Sequence, residues 1–280
     1  MHLDLDTGRL VVFIFGLVLF LGIERIRPNR TPNTVPIKRL WFHSLIALVN
    51  TTLMRILIYV PLLGWLVYVE QMGWGLSRWL GFTGWTEFLL SIIVLDAFDY
   101  VWHRANHRIP FLWRFHKAHH SDIDIDVTTA LRFHPGELLL STFAKAIWVI
   151  LWGPSTIAWF MFEALVSFCA QGHHSNIEIP DKAETIVSKL LVTPRFHATH
   201  HLVPRAFGNA NFSTIFSVWD LLFGSRAKPL SKAAMLDFEL GLPQYRSQAM
   251  SIKSWILEPF SSSNLVLEDP GESLETGNTH

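Results

Sequence analysis

The sequence predicts an all-α membrane protein: about four to five transmembrane or re-entrant helices with a cytoplasmic helical cap rich in histidine. Three observations predict it. Half of the 280 residues are hydrophobic and only 16% are charged, against about 25% in a typical soluble domain, and mean hydropathy is +0.29. The hydrophobic residues gather into runs whose lengths approach a bilayer's thickness. The clustered histidines lie at the ends of those runs or beyond them.

Composition also excludes. Lys+Arg and Asp+Glu balance at 23 each, so no basic field is available for nucleic acid. Cys169 is the only cysteine, so there is no internal disulfide and no thiolate cage, and any metal must be held by nitrogen and oxygen.

The first run, "LVVFIFGLVLFLGI" (Leu10 to Ile23), lacks the basic leader and small-residue cleavage site of a secretory signal and is expected to be a retained span. The second, Leu40 to Val69, contains Arg55 and Pro61 but no turn signal, which predicts one long, tilted or kinked helix. The third is "FLLSIIVLDAFDYVW", Phe88 to Trp102. Leu138 to Trp152 and Ile157 to Ala170, separated by "GPS", read as a hairpin of two helices barely long enough to cross. The expected organisation is N-terminal membrane spans over 1–98, a chemically active region over 99–225 containing the hairpin 136–172, and a polar, partly disordered tail over 226–280.

Sidedness follows from Lys and Arg, which favour cytoplasmic loops. Arg25, Arg27, Arg30, Lys38 and Arg39 make the first loop cytoplasmic. Arg104, Arg108, Arg114 and Lys117 lie two crossings later, on the same side, and the hairpin leaves and returns. Every clustered histidine is then expected to face the cytoplasm.

Those clusters are "FHKAHH" (His116, His119, His120), "FHATHH" (His197, His200, His201), the pair His103 and His107, and His174 with His173 beside it. Residues three and four apart share a helical face, so each triplet can aim its rings at one point. Imidazole is the commonest metal ligand and suits iron, zinc, copper or nickel. Eight or nine ligands exceed the four of a tetrahedral zinc, and a pair of metal ions is the economical reading. Asp96, Asp99, His103 and His107 follow one helical stripe. Asp99 is expected to accept the second ring N–H of a ligating histidine, and Asp96 to be a polar residue at the membrane boundary.

A metal pair at the cytoplasmic end of a membrane bundle suggests redox chemistry on a lipid, with the hard step supplied by the cofactor. The chain contains no Gly-x-Gly-x-x-Gly and no Cys-x-x-Cys-His, so electrons are expected from a separate donor. No His-Glu-x-x-His is present, which counts against metal-assisted hydrolysis.

The segments "DYVWHRANH", "FHKAHH", "RFHP", "HSNIEIP", "TPRFHATHH" and "NFSTIFSVWDLLFG" stand in that order from Asp99 to Gly224. In this the chain resembles the fatty acid hydroxylase and sterol desaturase superfamily of integral membrane, non-haem di-iron oxidoreductases. The resemblance implies metal ligation by His103, His107, His116, His119, His120, His174, His197, His200 and His201. It makes His134 and His173 candidates for a further ligand or a supporting position, and gives Asn211 and Asp220 a supporting role at the last triplet. It further implies two iron ions as cofactor, O₂ as co-substrate, a membrane lipid as substrate, and an external electron donor such as a reductase, ferredoxin or cytochrome b5-like protein. The location implied is multi-pass in a lipid bilayer, the inner membrane for a bacterial chain. The leading expectation is an O₂-dependent lipid hydroxylase or desaturase. The alternatives are alkylglycerol monooxygenase-like ether lipid oxidation and, from another class, a membrane metal-binding or transport protein.

Outside the motifs, His2, His43 and His280 are expected to be interfacial or disordered. Glu163 is expected to pair with Arg55 or to line a substrate path. The twelve tryptophans suggest an interfacial belt and core filling.

Overall fold

In the computed structural model, which describes residues 2–203 and 205–261, a helix occupies each of the five apolar runs. α1 covers His2–Ile26. α2 (Pro36–Met54) passes through a π-helical turn, Arg55–Tyr59, into α3 (Val60–Gln71). The widened turn directly precedes Pro61, which has no N–H for the carbonyl one turn back, so the second run is one continuous, locally widened helix. After the short α4 (Leu76–Trp79) come α5 (Gly84–Arg108), α6 (Pro110–His120) and a 3-10 turn (Val127–Leu131). The hairpin is α7 (Pro135–Trp152) and α8 (Thr156–His174). The cap continues with α9 (Asp181–Val187), α10 (Pro194–His200), α11 (Arg205–Gly208), α12 (Val218–Leu222), α13 (Lys232–Leu236) and α14 (Ile252–Leu257). The described residues contain no strand, only three isolated bridges.

α8 is the central helix, packed against α1, α5, α10 and the 3-10 turn, while α7 packs on α3 and α5. Leu66, Val69, Leu95, Val149, Trp159 and Phe162 fill the space between them. The outer faces carry exposed apolar side chains, among them Val18, Leu48, Ile56, Val60, Leu89, Phe143 and Ile147. Exposed apolar side chains in this number are more favourable against lipid or another apolar surface than against water. Two stretches, Pro36–Trp79 and Pro135–Trp152, are long and apolar enough to cross a membrane.

The bundle has two distinct ends. At one, α7 stops at Gly153, whose φ of 75° is left-handed and suits glycine. A Cβ there would sit 2.1 Å from the Trp74 carbonyl oxygen. Ser77 Oγ donates to Gly153 O at 2.7 Å, and Glu87 accepts from Ser155 N and Oγ, both at 2.8 Å. At the other end, the basic segment after α1 meets the histidine helices. Asn29 N donates to Asn176 O at 3.0 Å, and Asn176 Nδ2 donates to Arg30 O at 2.7 Å. The two basic segments and the clustered histidines therefore share one end of the bundle.

A buried ion network fastens that end. Arg39, at the start of α2, donates from Nε to Asp126 Oδ2 at 2.6 Å and from Nη1 and Nη2 to Asp122 at 2.6 and 2.9 Å. Asp124, between them, accepts from Asn33 N at 2.7 Å and Thr34 Oγ1 at 2.6 Å. Burial alone would raise the Asp122 and Asp126 carboxyls, but the Arg39 guanidinium outweighs it and holds both below the usual range.

One expectation is corrected here. His43 is neither interfacial nor disordered: it is fully buried, with Nδ1 2.7 Å from Thr128 Oγ1 and Nε2 3.3 Å from Arg132 Nη1. Within the segment expected as a polar, partly disordered tail, residues 226–261 pack on the rest of the chain. Met235, Leu240 and Trp255 are buried, and Tyr245 OH accepts from Lys117 Nζ at 3.0 Å, so this segment covers α6. Its apolar residues form no run long enough to stand out in the sequence. His280 and residues 262–280 lie outside the described residues.

Replacing Arg39 with methionine strands two buried carboxylates and should cost about 3–5 kcal/mol of stability. Denaturant or thermal unfolding of the detergent-purified protein measures it, and an unchanged midpoint would contradict the network.

Candidate metal centre

Proline places the histidine helices. Pro110 disfavours a helical Ile109, which is extended (ψ 113°), so α5 stops and α6 begins in a new direction. α6 then returns along α5 and brings the rings together: His103 to His116 at 5.0 Å and His107 to His120 at 4.7 Å between centroids. Thr193 and Pro194 start α10 in the same way, with Thr193 Oγ1 accepting from Phe196 N at 3.3 Å. α8 delivers His174 from its last turn.

The nine imidazoles fall into two groups. His103, His107, His116, His120 and His200 form one, and His119, His174, His197 and His201 the other; within each, one ring nitrogen per residue lies within 4.8 Å of all the rest. Each triplet is divided between the groups. His119 of the first triplet joins His197 and His201 of the second, and His200 joins His116 and His120. The groups share a wall, since His120 and His201 stack with centroids 4.4 Å apart.

Hydrogen bonds fix which nitrogens are bare. Nδ1 of His103 lies 2.8 Å from Phe212 O, Nδ1 of His200 2.6 Å from Ala210 O and Nδ1 of His174 2.7 Å from Ala170 O. A carbonyl oxygen only accepts, so each Nδ1 carries the proton and each Nε2 keeps a lone pair. Glu137 Oε1 accepts from His116 Nδ1 at 2.7 Å in the same manner. Yet Nε2 of His103 and Nε2 of His200 stand 3.1 Å apart. Two lone pairs cannot hydrogen-bond to each other. The Nε2 atoms of His107, His116 and His120 are buried with no hydrogen-bond partner.

Burial is also the first reason that His119, His120, His197, His200 and His201 are pushed well below the ordinary histidine range, with neighbouring imidazoles adding to it. Neutral rings with converging, unsatisfied lone pairs fit a cation, and each group could hold a metal ion.

The outer supports come from the last motif. Asn211 adopts a left-handed φ of 59°, which asparagine tolerates. That turn points the flanking carbonyls, Ala210 O and Phe212 O, at His200 and His103. Its side chain donates from Nδ2 to Phe196 O and accepts from Ala227 N, both at 2.9 Å, tying the loop to α10. Asp220 accepts from Phe212 N and Ser213 N, each at 2.9 Å. Asp96, expected as a boundary residue, is fully buried and accepts from Ile215 N, Phe216 N and Trp219 Nε1, clamping the motif to α5.

Other positions differ from expectation. Asp99 does not meet His103, whose Nδ1 is taken by Phe212 O; it lines a cavity instead. His134 caps α7, accepting at Nδ1 from Gly136 N at 2.9 Å, with Nε2 3.2 Å from Ile256 O, so neither nitrogen is free for a metal. His173 lies 4.2 Å from His197 between ring centroids, tilted by 45°, but belongs to neither group. Glu163 pairs with Lys145 at 2.6 Å and Arg9 at 3.6 Å, while Arg55 pairs with Asp6 at 2.7 Å. Glu137 was not singled out in the sequence, although it stands one helical turn after His134 in the same segment.

The fatty acid hydroxylase family model matches residues 88–225, taking in most of α5 and all nine histidines. Residues 88–225 are thus similar to the fatty acid hydroxylase family. The chain is 29% identical to the ornithine lipid hydroxylase of Rhizobium tropici over 143 residues, 51% of this chain and 42% of that protein. It is 25% identical to the cholesterol 25-hydroxylase of Mus musculus over 147 residues, 52% of this chain and 48% of that protein. It is 28% identical to the alkylglycerol monooxygenase of Homo sapiens over 130 residues, 46% of this chain and 28% of that protein. The chain thus spans half or less of these curated relatives. No solved structure matches it.

Replacing Glu137 with leucine removes the acceptor behind His116 and should weaken metal retention about 10–100-fold. Metal-to-protein ratios after graded chelator treatment measure it. His134→Ala should leave that ratio unchanged.

Proposed function

We propose that the chain is an O₂-dependent oxidoreductase that hydroxylates or desaturates a membrane lipid at a di-iron centre ligated by His103, His107, His116, His120 and His200 on one side and His119, His174, His197 and His201 on the other. The observation that carries this reading is the convergence of bare Nε2 atoms inside each of two adjoining groups, 3.1 Å apart for His103 and His200 in the first. The family match and the names of the relatives, which are lipid hydroxylases and monooxygenases, support it.

Two irons held there would supply the reduction of dioxygen and the attack on an unactivated C–H bond, chemistry beyond any side chain. The chain's own residues contribute three things. Carbonyls of Ala170, Ala210 and Phe212 and the Glu137 carboxylate hold the Nδ1 protons, so the rings stay neutral and oriented. Near-complete burial keeps bulk water from the ring nitrogens. A cavity of about 470 Å³, within the size range of a ligand site, runs from His116, His119 and His174 down between α5, α7 and α8.

The rest of the proposal is topological. The bundle is multi-pass in a bilayer, the histidine end faces the cytoplasm where its basic segments belong, and electrons arrive from an external donor such as a reductase, ferredoxin or cytochrome b5-like protein. A transport reading would place ligands near the midplane of the spans, whereas these stand in the last turns of α5 and α8 and in the cap.

Lipid extracts from cells with and without the protein, compared by mass spectrometry under O₂, should show a mono-oxygenated or desaturated lipid. His120→Ala and His201→Ala should each lower its yield by more than the about 10–100-fold expected for an outer partner. Purified protein without iron, or an oxidised lipid that persists in both variants, would refute the proposal.

A further inference from the structure

The cavity that opens on the histidines has a charged floor. Lys145 of α7 and Glu163 of α8 pair there at 2.6 Å, with Arg9 of α1 3.6 Å from the same carboxylate. Asp99 of α5 lines the same space and interacts electrostatically with both Lys145 and Glu163. These side chains lie deep: Asp99 is one helical turn before His103, and Glu163 is about 16 Å along α8 from His174 at 1.5 Å per residue. Arg9, Lys145 and Glu163 also wall the cavity off from a second, more apolar one of about 260 Å³ lined by Ile58, Leu62 and Leu66.

The hydrogen-bonding capacity of the floor is not used up. An ammonium has three N–H donors, and Lys145 spends one on Glu163. The Asp99 carboxylate has no hydrogen-bond partner among the described residues, although it borders the cavity. One donor and one acceptor are therefore left facing the same space. Charged residues inside a bundle are costly enough that they mark a function more often than not.

We propose that Asp99 and Lys145 bind the hydroxyl of an amphiphile, the O–H donating to Asp99 and its oxygen accepting from Lys145, while another part of the same molecule reaches the histidines. This inference rests on the reading of the centre as a lipid-oxidising site and names the kind of lipid it takes. A hydrocarbon would remove water from both groups and return no hydrogen bond. A carboxylate has no proton to donate to Asp99 and would add a negative charge beside Glu163. A hydroxyl satisfies the donor and the acceptor together at no change of charge. The size of the cavity suits one chain or one fused-ring body rather than a two-chain phospholipid.

The test uses photo-crosslinking by three C16 probes that carry the same mid-chain diazirine: 1-hexadecanol, hexadecane and palmitate. Each is presented at equal mole fraction in phosphatidylcholine nanodiscs holding the full-length protein. Labelling of the peptides containing Phe133 and Val166 should favour the alcohol by about tenfold over both others, the worth of a hydrogen bond to a charged group. Asp99→Leu, which orphans no partner, should cut that preference to about twofold or less, and Lys145→Met should do the same. Unfolding midpoints show that the variants remain folded, and Asp99→Leu decides if Lys145→Met does not. Equal labelling by the three probes, or a preference that survives Asp99→Leu, would overturn the inference. Iron content measured on the same samples separates the two readings: iron without the alcohol preference defeats this inference alone, and the preference without iron defeats only the oxidation reading.

Discussion

Nine imidazoles crowded into a largely buried space are the constraint on which the rest of this structure depends. For His103, His116, His174 and His200 the fold places an acceptor for the Nδ1 proton on the outside of the cluster. Where the acceptor is a backbone carbonyl, as for His103, His174 and His200, it cannot be lost without moving the chain. The geometry of the centre is therefore set less by the histidines than by the loop and helix ends behind them. Asn211 illustrates this, since one left-handed residue supplies two of those carbonyls.

The same logic extends outward. Asp96 and Asp220 accept backbone N–H groups and so hold the last motif in its irregular path. Arg39 gathers Asp122 and Asp126 immediately after the first triplet. Each is a buried charge with its hydrogen bonds satisfied, the condition under which burial is tolerable. Together they clamp α2, α5, α6 and the last motif around the cluster, and the segment 226–261 closes it from outside.

Much of this was legible in the sequence, for local reasons. Spacings of three and four residues on a helix place side chains together without reference to the rest of the fold, so the two triplets and the His103–His107 pair could be read directly. The five apolar runs were legible because each is a long stretch of hydrophobic residues that forms a single helix or helix pair. What was hidden depends on partners far along the chain. Asp99 shares a stripe with His103, but which acceptor reaches His103 is decided by a loop more than a hundred residues away. His134 drew notice over Glu137, yet Pro135 makes the histidine a helix cap and turns the glutamate inward. Arg39, among several basic residues at a membrane boundary, gave no sign that it would be the one buried.

The division of each triplet between the two groups has a consequence for biogenesis. A ribosome releases the first triplet well before the second, and neither group is complete until α10 has been made and docked against α6 and α8. The first group lacks only His200 until then, whereas the second holds only His119 and His174 and gains half of its nitrogens from α10. The two groups therefore reach completion by different routes, one nearly assembled within α5 and α6 and the other dependent on the cap closing over the bundle.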